Sequence, residues 1–241
     1  MKPTIETPLG VLMLEVTLGE VPVELSELSP VPSTSLHRAQ WASEVARASL
    51  WVGTIESSLL LDPELLPGQA VEKCYGVLWQ VEALQDMAEG ERLLFRCHWA
   101  DPSPLILSQT AGWETGATVD AWRWRVGRIE VCVGTSNEVN LAYLGWQEGL
   151  ALPKRWCDPE RPGESTLLGV EPTRMSERGL EVSYPALRAG EVCHATFSVA
   201  WKTVRVGENG EPDEEDIDTW MAADLASTQM VRAVSTHLSG E

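Results

Sequence analysis

Two Cys-His doublets, Cys97-His98 and Cys193-His194, are the residues of this 241-residue chain whose types most directly suggest chemistry. Thiolate and imidazole are the preferred ligands of zinc. An imidazole beside a thiol can also activate it as a nucleophile. The spacing argues against a metal held by either doublet alone, because adjacent residues of a strand point to opposite faces. Neither Cys-x-x-Cys nor His-x-x-x-His occurs, so His98 with His194 across strands is the one simple metal arrangement. The expected state is buried thiols with exposed histidines, and no metal ligand is assigned. A cysteine nucleophile would draw its base from His37, His98, His194 or His237. Gly-x-Ser-x-Gly, a Walker A loop, Gly-x-Gly-x-x-Gly and His-Glu-x-x-His are all missing. An enzyme built on this chain would therefore be hydrolase-like without a familiar motif, using a Cys/His or a carboxylate site.

Two further groups carry charge. Arg123, Arg125 and Arg128 fall in an alternating stretch, opposite Trp122 and Trp124 or beside the turn, and form a candidate anion-binding patch. The competing reading pairs these arginines with Asp120, Glu130 or acids of another strand. Asp213, Glu214, Glu215 and Asp216 lie in an acidic run that suits a basic protein partner, or the positive end of the helix dipole that follows. The run lacks the EF-hand pattern and is not read as a calcium site. Tryptophan is the third resource: eleven stand against two Phe and three Tyr. Most sit where alternation sends them inward, whereas Trp113, Trp146 and Trp156 lie in less regular context and are candidates for a recognition surface.

Thirty-six acidic against eighteen basic residues give a formal net charge of −18. That sign disfavours bulk attraction to duplex nucleic acid and suits a protein partner with a basic surface. No apolar run approaches the length of a membrane span, and none near Met1 resembles a signal peptide. An odd number of cysteines at irregular spacing argues for reduced thiols, so a cytoplasmic protein is expected. No cofactor signature is present, and the sequence sets no oligomeric state.

The elements that must position these residues follow from periodicity. A hairpin is expected from 10–18 and 21–25, turned at Gly19-Glu20. Residues 35–52 and 71–84 carry apolar side chains three or four apart and predict two helices. From Gly90 the period changes to two. Residues 92–99 set Phe95, Cys97 and Trp99 on one face and Arg96 and His98 on the other. Residues 118–133 predict a hairpin turning near Val126-Gly127-Arg128, and 191–206 another strand with Cys193, Phe197, Val199 and Trp201 inward. A short helix is expected over 137–148. A closing helix follows, with Ile217, Met221, Leu225, Thr228, Val231, Val234 and Leu238 at helical spacing.

The expected fold is α+β: a mainly antiparallel sheet or sandwich covered by two or three helices, in one globular domain spanning 1–241, with 153–166 as an internal loop or linker. The expected function is a non-catalytic interaction module, an inhibitor, immunity protein or regulatory subunit that meets a basic partner through its acidic surface. A hydrolase-like enzyme and a tryptophan-lined binder of small ligands or phosphate are the alternatives.

Overall fold

The computed structural model describes residues 2–56, 71–101, 111–115, 119–156, 160, 172–176, 178–204 and 218–240. Its strands are β1 (Thr4–Thr7), β2 (Gly10–Leu18), β3 (Val21–Pro22), β4 (Ser29–Pro30), β5 (Leu36–Ala42), β6 (Ala46–Ile55), β7 (Lys73–Ala83), β8 (Arg92–Trp99), β9 (Ala111–Thr115), β10 (Val119–Val126), β11 (Ile129–Ser136), β12 (Thr173–Ser176), β13 (Gly179–Pro185) and β14 (Val192–Thr203). Two α-helices, α1 (Glu138–Gln147) and α2 (Asp218–Gly240), complete the described elements with a 3-10 turn at Lys154–Trp156.

All pairings are antiparallel, and the strands make two sheets. The first runs β1-β2-β8-β13-β12, with β3 on β2. The second runs β4-β5-β6-β7-β14-β11-β10-β9. Their inner faces share one apolar core. Trp79 of β7 lies 6.2 Å from Phe95 of β8, and Trp99 of β8 meets Trp124 of β10 edge-on at 5.3 Å. Each ring pair joins one sheet to the other.

The expected sheet under two or three helices is therefore corrected: the protein is a β-sandwich in which strands dominate and one long helix, α2, packs on the second sheet. The two helices predicted over 35–52 and 71–84 are strands β5, β6 and β7. Their mistaken period has a physical cause. Leu50 and Trp51 are both buried, as are Val77, Leu78 and Trp79, because one face of these strands meets the core and the other lies under α2. A strand covered on both faces loses the alternation that marks a half-exposed one.

Helix α2 sits close to its sheet because both surfaces are small there. Ala222, Ala223, Ala226 and Met230 are fully buried. A Cβ placed on Gly76 would stand 2.8 Å from the Met230 Cβ, and one on Gly134 3.2 Å from the Ala223 Cβ. Leu225 and Leu238, expected on the buried face, are exposed instead. The helix start is tied down by charge: the Lys202 ammonium lies 2.6 Å from the Asp218 carboxylate, both almost solvent-free. Beside it the Thr219 hydroxyl donates to Glu130, whose other oxygen accepts from Arg125 at 2.6 Å. Helix α1 is capped by the Asn137 side chain, which accepts from the Asn140 N–H. Among the described residues no helix is long and apolar enough to cross a membrane.

Candidate active site

The outer face of the first sheet gathers the groups with the most chemical potential. Strand alternation turns Leu14, Phe95, Cys97 and Val182 into the core and leaves Glu15, Arg96, His98 and Glu181 on the opposite face. Register aligns them. Glu15 lies opposite Arg96, Arg96 opposite Glu181, and Glu181 opposite Arg174, while Met13, His98 and Gly179 form the neighbouring row. These side chains line an open groove of 680 Å³ together with Ser176 and Arg178. That volume lies within the range of about 300–1,000 Å³ usual for small-molecule sites.

Glu15 is the hub. Its carboxylate accepts from Lys2 and lies 3.1 Å from His98 Nε2. Burial alone would raise the Glu15 carboxyl, but the Lys2 and His98 contacts outweigh it and hold the group below the ordinary carboxylate range. Glu15 is accordingly an anion at neutral pH. His98 Nε2 is shut off from water and sits beside Glu15 out of hydrogen-bond alignment. Contacts of this sort commonly tighten only when substrate is bound. One strand further on, the Arg96 Nε donates to Glu181 at 2.7 Å.

Gly179 fixes the floor of the groove. Its φ of 141° lies in a region side-chain-bearing residues rarely adopt, and an added Cβ would run into the Cys97 carbonyl oxygen and stand 2.6 Å from His98 Cα. Glycine thus lets the turn before β13 press against the strand that carries His98.

Of the residues singled out from the sequence as binding candidates, Arg123, Arg125, Arg128 and Trp156 are not among those that line this groove. Asp213, Glu214, Glu215 and Asp216 fall outside the described residues. Trp113 is on β9, in register with Trp122, and Trp146 is in α1. Trp156 is buried, its ring 5.3 Å from Tyr184 with the Arg155 guanidinium over it. Arg123 and Arg125 face the buried Glu130, at 3.8 and 2.6 Å, beneath the start of α2. Arg128 reaches the Val204 carbonyl at 3.5 Å.

The doublets separate as strand geometry requires. Cys97 and Cys193 point into the core, His98 into the groove, and His194 onto the outer face of the other sheet. His98 and His194 thus lie on opposite sides of the sandwich and share no site. His194 Nδ1 donates to the Ala151 carbonyl at 2.7 Å, and burial pushes its pKa down to about 4. Among the described residues no three His, Cys, Asp or Glu side chains converge as metal ligands would.

The cysteine-nucleophile version of an enzyme loses its chemistry here. Cys74, Cys97, Cys132 and Cys193 are buried; desolvation pushes the Cys74 thiol up to about 12 and raises those of Cys97 and Cys193 as well. These three thiols carry almost no thiolate at neutral pH. Mild iodoacetamide treatment with mass mapping is expected to modify the four only as fast as the fold opens. Rapid modification of Cys97 or Cys193 in the folded protein would contradict this placement.

Glu15, Glu181, Arg174 and Arg178 were missed from sequence. Glu15 carries a weak signal, a lone acid in an otherwise apolar strand. The others become neighbours only through the order β2-β8-β13-β12, which no local pattern encodes.

No protein-family model matches the chain, and no curated protein matches it. Among solved structures, one similar to it is a "Putative kojibiose phosphorylase from human microbiome", with 8% sequence identity and a TM-score of 0.45. The match covers 94% of this chain and 27% of that one. Likeness at that level assigns no activity to this chain. The expectation of a non-catalytic module docking a basic partner is withdrawn: the acidic run on which docking rested lies outside the described residues, and the groove instead sets the Glu15 carboxylate beside His98.

Proposed function

We propose that the protein is an enzyme of hydrolase type whose acid–base pair is Glu15 and His98. The observation that supports this reading is the 3.1 Å approach of His98 Nε2 to an ionised Glu15 inside the groove. In this arrangement Glu15 orients the imidazole and stabilises the imidazolium that forms. His98 takes a proton at Nδ1 from a water in the groove, and the resulting hydroxide adds to an electrophilic carbonyl or phosphoryl centre. The imidazolium then returns the proton to the leaving group, which restores neutral His98. Arg96, already paired with Glu181, lies next to the dyad on the same sheet face and offers positive charge where an oxyanion develops.

The test is turnover of a panel of nitrophenyl esters, phosphates and glycosides at pH 7. Hydrolysis of one class is expected, with His98→Gln and Glu15→Gln each slowing it about 10²–10⁴-fold, the usual contribution of a positioned acid–base group. Failure of the whole panel, or turnover indifferent to both substitutions, would sink the reading.

A further inference from the structure

We infer that the groove takes a ligand bearing an oxyanion, a phosphoryl or carboxylate group, held by Arg174 and Arg178 against His98. The inference rests on the groove being the active site and adds the substrate class. Its starting point is a reversal of sign. The chain as a whole carries −18, yet among the described residues the groove lining holds three arginines, Arg96, Arg174 and Arg178, against two carboxylates, Glu15 and Glu181. Both glutamates already have cationic partners, Lys2 for Glu15, which His98 also approaches, and Arg96 for Glu181. The positive charge left over is that of Arg174 and Arg178.

Both arginines are exposed, and their guanidinium groups enter no hydrogen bond or ion pair among the described residues. Their placement is nonetheless constrained. Arg174 stands in register with Glu181 on β12. Arg178 belongs to the short turn between β12 and β13, where its N–H donates to the Ser176 hydroxyl at 3.2 Å and its carbonyl accepts from the Trp99 N–H at 2.8 Å. The next residue, Gly179, presses on the backbone of Cys97 and His98. The backbone of Arg178 and Gly179 is thereby fixed against the strand of the imidazole. Two planar donor forks beside a histidine match the several lone pairs of a phosphoryl or carboxylate group, whereas a neutral hydroxyl would leave most of those donors unused. In a strongly acidic molecule an isolated positive lining also draws an anion to this groove rather than to the surrounding surface.

Calorimetry at low salt tests the inference, with inorganic phosphate in one arm and acetate in the other to separate the two oxyanion chemistries. Saturable binding in at least one arm is expected, about 10–100-fold weaker in the folded Arg174→Gln/Arg178→Gln double variant, as loss of charge-assisted hydrogen bonds implies. Circular dichroism of the variant confirms folding. If folding is lost, Arg178→Lys replaces it; this variant keeps the charge and removes the fork, and is expected to weaken binding by a smaller factor. No saturable binding by the unmodified protein in either arm, or binding unchanged in the variants, overturns the inference. The two readings fail separately. Anion binding lost in the variants but without turnover of any panel member upholds the oxyanion site and sinks the enzyme. Turnover without anion binding does the reverse.

Discussion

Replacing Asp218 with alanine is expected to lower the unfolding free energy by about 3–5 kcal/mol, because it removes the carboxylate 2.6 Å from a Lys202 ammonium that stays in the interior. Lys202 is 3% exposed and Asp218 fully buried, and their charged atoms are 2.6 Å apart. A carboxylate in the first turn of α2 also suits the helix dipole, but that interaction contributes only about 0.3–1 kcal/mol at an exposed site. The size of the loss therefore separates the two roles. Urea unfolding decides it, with the Lys202→Met/Asp218→Leu double variant as control, since an apolar pair of similar volume is expected to recover most of the loss. A change below about 0.5 kcal/mol in Asp218→Ala would mean the pair is not buried as described.

Trp124→Ala is the second large effect, a loss of about 3–5 kcal/mol in the same measurement. The Trp124 side chain is buried, edge-on to Trp99 and 6.2 Å from Trp122. Its truncation opens a cavity between the sheets rather than at a surface able to collapse. Trp99 follows His98 directly, so the groove is expected to lose order along with the core, visible as a weakened near-ultraviolet dichroism signal. Val45→Ala, at a residue half exposed in the turn between β5 and β6, is the matched control and is expected to change stability by less than about 0.5 kcal/mol. A Trp124→Ala variant as stable as that control would refute the placement of this ring in the core.

How much of this was legible in the sequence depended on which faces of an element meet water. The strands over 10–18 and 92–99 were readable because one face of each is apolar and the other polar. The hairpin at Gly127 was readable because that glycine adopts the positive φ a two-residue turn needs. Strands β6 and β7 were not, since burial on both faces let Cys74, Leu78 and Val81 fall at helical spacing within a strand. The long helix was visible in outline, but its apolar face was misjudged: the sheet offers Gly76 and Gly134 there, so alanines rather than leucines make the contact. Of the groove, only the shared outward face of Arg96 and His98 could be read. Their partners Glu15 and Glu181 come from strands dozens of residues away, one on each side of β8. Arg123 and Arg125 were correctly set opposite Trp122 and Trp124, yet that face lies under a helix instead of in solvent, and Glu130 occupies both.

The strand order carries a kinetic consequence. The β7 ladder is completed on one side by β14, with Leu78 opposite Thr196, and β8 is completed by β13, with Phe95 opposite Val182. Both partners come from the last quarter of the chain. Non-local pairing of this kind places folding on the millisecond-to-second scale, because loop closure must be achieved before the ladders reward it. During synthesis, at about 5–20 residues per second, β7 and β8 emerge with one edge unsatisfied and wait several seconds for the strands that close them. Over that interval Trp79 and Phe95, which later bind the sheets together, are the apolar surface most open to a chaperone or to another nascent chain.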